Sequence, residues 1–225
     1  MNAQADGQIL VNSLFSREAV LRAYGVESRV CYPGIDTSFF THLGLPRERF
    51  VVGLGTLGPT KNVELAIRAI GAMKGPRPPL HWIGNMSDGP YLDRMTMLAA
   101  QLEVEFRPKV MVSDDELVRA LNQASAMIYT PRLEPFGLSP LEANACGCPV
   151  VAVAEGGVRE TIEDGRNGFL CSSEPEDLAR RLTLLVEDEG LSARMGAEAR
   201  EWVVSKWSIS SSVDKLEDEL RKVSR

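Results

Sequence analysis

The sequence predicts a doubly wound α/β fold: a parallel sheet covered on both faces and finished by a helical tail. Short apolar runs rich in β-branched residues alternate with longer stretches of helical periodicity through most of the chain. That alternation is what βα units around a parallel sheet produce. Beyond Glu176 the strand-like runs stop and only helical periodicity continues.

Strands are expected at residues 9–12, 30–33, 50–55, 80–84, 104–106, 126–130, 149–152 and 168–171. Between them, residues 17–24, 62–73, 90–102, 114–123, 139–146 and 158–163 read as helices. Several open near Ser, Thr, Asn or Asp, whose side chains accept from unpaired first-turn amides. Three further helices are expected near 176–187, 189–206 and 208–223. The run Lys74-Gly75-Pro76-Arg77-Pro78-Pro79 reads as a loop within one unit. The organisation expected is therefore one doubly wound domain over residues 1–175, with residues 176–225 as helices packed on it.

Composition narrows the function classes. With 225 residues, 44% hydrophobic and 25% charged, the chain can bury a large core and has no disorder signature. A net charge of −6, from 25 Lys and Arg against 31 Asp and Glu, argues against a broad nucleic-acid or membrane-docking face. Cys31, Cys146, Cys148 and Cys171 form no C-x-x-C pair, and His42 and His81 stand far apart, so reduced thiols and no structural metal are expected. The opening residues lack the basic segment and apolar core of a signal peptide, and no run is long enough to span a membrane. A cytoplasmic location is the expectation.

In a doubly wound sheet, ligands bind where loops leave the carboxyl ends of the strands, near the point where strand order reverses. The segment Gly53-Leu54-Gly55-Thr56-Leu57-Gly58 follows a predicted strand and fits the dinucleotide fingerprint G-x-G-x-x-G. Its context does not fit. Pro59 follows the third glycine, helical periodicity begins only near Asn62, and the next strand ends in Gly84-Asn85 without an acid to hold a ribose. The plain alternative is a glycine-rich turn with no ligand; a third reading is that Lys61, just ahead of that helix, neutralises a diphosphate as a point charge, although taken alone it fits a solvated surface lysine better.

The most informative stretch runs from Thr130 to Ala152. A strand delivers Glu134 into a loop, Gly137 allows close backbone approach to a ligand, and Ser139 and Pro140 open a helix whose amides make an anion site. Glu142, one turn in, can accept from a ribose diol, while Glu134 can accept from sugar hydroxyls. Ser139-Pro140-Leu141-Glu142 equally fits a capping box, and Glu134 a solvated turn.

Glu134 and Glu142 in this setting resemble the E-x7-E signature of retaining glycosyltransferases with two Rossmann-like domains, the GT-B architecture, and in particular the glycosyl transferase group 1 family. The resemblance extends to Asn12-Ser13, to Tyr32-Pro33-Gly34-Ile35-Asp36, to Ser113-Asp114-Asp115-Glu116-Leu117 and to Glu155-Gly156-Gly157-Val158-Arg159-Glu160. It implies the nucleotide-sugar-binding half of a transferase using a UDP-, GDP- or ADP-sugar without a metal cofactor. It implies Glu134 as a sugar-hydroxyl contact and Phe136, Gly137 and Leu138 beside the donor sugar and phosphate. Glu142 becomes the ribose contact, Lys61 the diphosphate cation, and Val110, Met111 and Val112 the loop beside the base.

Two departures from the family pattern stand out. Thr56 occupies the place where the family commonly has an arginine that clamps the diphosphate with the lysine, and a hydroxyl does not replace a bidentate guanidinium. Arg132 is a candidate substitute. The resemblance implies a second, acceptor-binding domain that supplies a catalytic histidine, and neither His42 nor His81 stands in a matching context, so no catalytic residue is assigned here. The chain is expected to act with an N-terminal acceptor-binding domain or subunit. A non-catalytic module of this fold and half of a nucleotide-sugar epimerase are the alternatives. Asp114-Asp115-Glu116 reads as the acidic first turn of a helix capped by Ser113, not as a metal motif. Trp202 and Trp207 read as packing residues.

Overall fold

The computed structural model describes residues 8–223. The opening residues, read above as lacking a leader, and the last two residues of the tail lie outside the described residues. The chain runs β1 (Ile9–Val11), α1 (Leu14–Tyr24), β2 (Ser28–Val30), β3 (Glu48–Leu54), α2 (Val63–Ala72), β4 (Leu80–Gly84), α3 (Gly89–Gln101), β5 (Phe106–Val110) and α4 (Asp114–Gln123). It continues through β6 (Ala124–Tyr129), α5 (Leu138–Ala145), β7 (Val150–Val153), α6 (Val158–Thr161), β8 (Gly168–Cys171), α7 (Pro175–Glu187), α8 (Glu189–Lys206) and α9 (Ile209–Val223).

Strands β3 to β8 form one parallel sheet in the order β5-β4-β3-β6-β7-β8. From β3 the chain steps outward to β4 and β5, then returns to lay β6 on the other side of β3. The carboxyl ends of β3 and β6 therefore flank the switch point, where a crevice opens between diverging loops. The strands are apolar on both faces, as a sheet covered twice requires. Val51, Trp82, Ala126, Ile128 and Val151 meet the layer of α2, α3 and α7. Phe50, Val52, Met127, Val150 and Ala152 meet the layer of α4, α5 and α6.

Three sequence expectations shift. The strand expected at 104–106 is Phe106–Val110, because Val104 leaves the preceding helix with its side chain buried under α2 and α3 and ladder pairing begins at Leu80↔Phe106. The strand expected at 30–33 is Ser28–Val30. It pairs with β1 in a two-stranded parallel sheet of its own, so the eight strands do not form one sheet. Helix α1 begins at Leu14, capped by Ser13, rather than at Arg17. In the helical tail, α7 joins the α2 side and α8 packs on α5.

Candidate functional site

The glycine-rich turn after β3 owes its glycines to packing. A side chain on Gly53 would strike the Trp82 ring, and Gly55 sits at φ 130 against the stem of Lys61 while its carbonyl accepts from Trp82 Nε1 at 2.8 Å. A short 3-10 turn, Pro59–Lys61, separates this loop from α2, so no helix amide stands where a dinucleotide fingerprint needs one. Thr130, fully buried at the end of β6, donates to the carbonyls of Lys61 and Asn62, both at 3.1 Å, and ties the turn to the neighbouring strand. Lys61 is thereby aimed across the switch point. Its Nζ lies 2.6 Å from Glu134 Oε2.

Glu134 is supported from below by Tyr129, the last residue of β6. Burial, then the charge of Glu134 and a hydrogen bond to it, hold the Tyr129 hydroxyl protonated far above the usual phenol range. A side chain on Gly137 would come within 3.0 Å of that hydroxyl, and Gly137 also needs φ 90, so glycine is required there twice over. Gly137, not Ser139, is the N-cap of α5, and no side chain caps that helix. The capping box at Ser139-Pro140-Leu141-Glu142 does not form, because α5 starts at Leu138 and Glu142 lies past its first turn. The Leu138 and Ser139 amides at the start of α5, at the positive end of the helix dipole, have no side-chain acceptor, and Pro140 has no amide proton to satisfy.

Glu142 instead faces a cavity of about 380 Å³ bordered by Gly55, Thr56, Lys61, Phe40 and Met111. Burial raises its carboxyl to about 7. The side chain of Phe136 is turned away from this crevice. It is 3% exposed and packs on Trp207 at 5.5 Å and Tyr32 at 5.9 Å, leaving only its backbone for a ligand. Leu138 is 43% exposed at the start of α5.

Of the loop expected beside a base, Met111 and Val112 line the cavity, while Val110 is the last residue of β5, paired with Gly84. Met111 takes φ 58 and stands 76% exposed at the mouth. Thr56 Oγ1 donates to Asn85 Oδ1 at 3.2 Å. Arg132 is exposed on the loop before Glu134.

Three contributors escaped the sequence. Tyr129 is the last residue of a central strand, the position that faces a switch-point crevice, and could have been read as such. Phe40 reaches the cavity from a loop nearly a hundred residues away from α5 in sequence. Asn85, where a dinucleotide fold would carry an acid, lines the cavity and accepts from Thr56. Among the four cysteines all are unpaired, and burial raises the thiols of Cys146, Cys148 and Cys171, which removes them as nucleophiles.

A cation, two carboxylates and an apolar-walled cavity thus meet at one switch point, with the uncapped start of α5 following the same strand. The model of the glycosyl transferases group 1 family matches residues 35–202, three quarters of the chain. The chain belongs to the glycosyl transferase group 1 family. It is 30% identical to the D-inositol 3-phosphate glycosyltransferase of Streptomyces avermitilis over 93% of this chain and 51% of that protein. It is 25% identical to human alpha-1,3/1,6-mannosyltransferase ALG2 over 92% of this chain and 56% of that one.

Solved structures agree on the fold. A glycosyltransferase from Rickettsia africae superposes with a TM-score of 0.88 at 19% identity, over 98% of this chain and 64% of that one. The Anabaena protein HepE, in complex with UDP and glucose, gives 0.84 at 23% identity, over 96% and 63%. The C-terminal domain of a group 1 family protein from Francisella tularensis gives 0.67 at 23% identity, over 78% of this chain and all of that one. The fold is that of the Rossmann-like domains of GT-B glycosyltransferases. This chain spans about half the length of the curated group 1 relatives it matches. Among the described residues no helix is long and apolar enough to cross a membrane.

Proposed function

We propose that this chain supplies the donor-binding half of a cytoplasmic group 1 enzyme that transfers a hexose from a nucleotide diphosphate sugar with retention at the anomeric carbon. The observation that carries this is the facing of Lys61 and Glu134 across the switch point, 2.6 Å apart, beside the uncapped start of α5. Lys61 and the α5 amides suit a diphosphate. Glu134 suits sugar hydroxyls, and Glu142, inside the cavity, suits the ribose diol. As the leaving diphosphate gains charge, amides and an ammonium already aimed at it stabilise that charge without reorganising and without a metal ion. The acceptor and the remaining catalytic groups come from a second, N-terminal domain or subunit.

Calorimetric titration with UDP, GDP and ADP tests the donor site. Saturable binding to one of them is expected, and no binding to any at millimolar ligand would sink the proposal. A second possibility is favoured by Thr56, whose hydroxyl is spent on Asn85 where the family pattern has an arginine. It is a module that keeps the fold and has lost turnover.

A further inference from the structure

The β1–α1–β2 unit sits on the molecule in an unusual way. Its two strands form a sheet of their own, and α1 buries no residue. An amphipathic helix normally adheres through an apolar stripe; the start of α1 is held instead by polar bonds that converge behind Glu134, while β2 is tied separately to α9 by Arg29 and Glu219 at 2.9 Å.

Glu160 on α6 is the centre of them. Its Oε2 accepts from the Leu14 amide at 2.8 Å and from the Tyr32 hydroxyl at 2.8 Å, and its Oε1 accepts from the Phe15 amide at 3.1 Å. Helix α1 has no acid in its own first turn, so Glu160 supplies that charge from across the interface. Ser13, fully buried, caps α1 by accepting from the Ser16 amide at 2.9 Å and donates its own proton to the Pro135 carbonyl at 2.5 Å. The preceding carbonyl, that of Glu134, accepts from the Gly157 amide at 2.9 Å, at the start of the helix that bears Glu160.

The bonds close a ring. It runs from the Glu134 carbonyl through Gly157 to Glu160, across to the start of α1, and back through Ser13 to Pro135. Gly156 and Gly157 press so closely on residues 134–136 that a side chain at either would overlap that backbone. Two consecutive carbonyls of the carboxylate-bearing loop are therefore held by two elements that are themselves bridged by one residue.

We infer that the β1–α1–β2 unit clamps the Glu134 loop, with Glu160 and Ser13 as positioning residues for the Glu134 carboxylate. Neither touches the crevice; each acts through the loop backbone. Resting on the donor-site proposal, the inference adds that the grip on the sugar part of the donor depends on how the β1–α1–β2 unit is seated. A partner or domain that docks on that unit would tune it.

The test compares Ser13→Ala, Glu160→Gln and Tyr32→Phe with the unaltered chain in two measurements. The first is calorimetric affinity for UDP, GDP and ADP beside UDP-glucose, GDP-mannose and ADP-glucose. The second is amide hydrogen exchange at Phe136, Gly137 and Leu138. Ser13→Ala and Glu160→Gln should bind the nucleotide sugar about tenfold more weakly, with nucleoside diphosphate affinity held within about twofold. Tyr32→Phe should lie between. Exchange at the three amides should quicken while that of β3 and α2 holds. Equal weakening toward both ligands, or undiminished sugar affinity, overturns the inference. If the unaltered chain binds no nucleotide, the donor-site proposal fails and exchange alone decides, with unchanged protection overturning the clamp. Should Glu160→Gln fail to fold, the two single-hydroxyl deletions carry the comparison.

Discussion

Lys61 Nζ and Glu134 Oε2 neutralise each other at 2.6 Å, each side chain about a quarter exposed, across the reversal point of the sheet. A diphosphate entering the crevice competes with Glu134 for Lys61. The pair is partly solvated, so Lys61→Met should change stability by about 1 kcal/mol or less. Nucleoside diphosphate affinity should fall about tenfold, one charge-assisted contact being lost. Glu134→Gln frees the ammonium and should leave nucleoside diphosphate affinity equal or higher while weakening the nucleotide sugar. Melting curves and paired titrations check both variants.

Glu142 makes the fold pH-dependent. Burial raises its carboxyl from 4.5 to about 7. The folded state therefore holds a proton that the unfolded chain releases, and stability falls as pH rises from about 4.5 to about 7. Below that window the carboxyl is neutral in both states and costs nothing. Glu142→Gln should remove the dependence and be more stable than the parent by about 3 kcal/mol at pH near 8, with little difference near 5. Denaturant melts at both pH values decide this. Ribose hydroxyls donate best to the ionised carboxylate, so nucleotide binding near pH 6 should release a proton. Calorimetry in buffers of different ionisation enthalpy reads that release directly.

Much of this fold was legible because it rests on local pattern. The strands at Leu80–Gly84 and Gly168–Cys171 and the helix at Glu189–Lys206 fall where apolar periodicity put them. What was not legible depends on tertiary partners. The start of β5 is set by pairing with β4 while Val104, although apolar, is taken into the core beside α2 and α3. The detached β1–β2 sheet cannot be distinguished from an outer strand pair by composition alone. Around the site, Lys61, Glu134 and Glu142 were singled out by their places after predicted strands together with the family resemblance, but the orientation of Phe136 was not legible. An aromatic residue beside a ligand loop looks the same in sequence whether it faces the crevice or Trp207. Glu142 looked like a cap because Ser139 and Pro140 precede it, yet the positive φ of Gly137 starts the helix earlier.

Arg200 on α8 is a structural prediction of a different kind. Its guanidinium donates to the carbonyls of Phe40 at 2.6 Å, Ala145 at 2.7 Å and Thr37 at 3.1 Å. One cation thus fixes the loop that brings Phe40 to the cavity and neutralises the negative end of α5, whose positive end faces the crevice. Arg200→Met should destabilise by about 2–3 kcal/mol, since three carbonyls lose a charged donor at once. For a chain of this size that corresponds to a melting point lower by about 4–12 °C. Nucleotide affinity should drop with it, because the Phe40 wall loosens. Thermal melts of Arg200→Met and Arg200→Lys, with titration of each well below its melting point, check both effects.

Thr56 decides between a working donor site and a module that has kept only the fold. It borders the same cavity as Lys61 and Glu142, and its hydroxyl is bonded to Asn85 on the wall of that cavity. Arginine at this position would place a planar, permanently charged donor beside the ammonium of Lys61, suited to grip a phosphate by two hydrogen bonds. Thr56→Arg should raise nucleoside diphosphate affinity about tenfold, with a larger gain at low salt because the added term is electrostatic. If the parent already binds at micromolar concentrations and the variant gains little, Lys61 and the α5 amides suffice and the site is complete as it stands. If binding is detectable only in the variant, loss of the arginine has disabled the donor site and the non-catalytic role becomes the better account. Titrations of parent and variant at about 50 mM and about 300 mM salt separate the two outcomes.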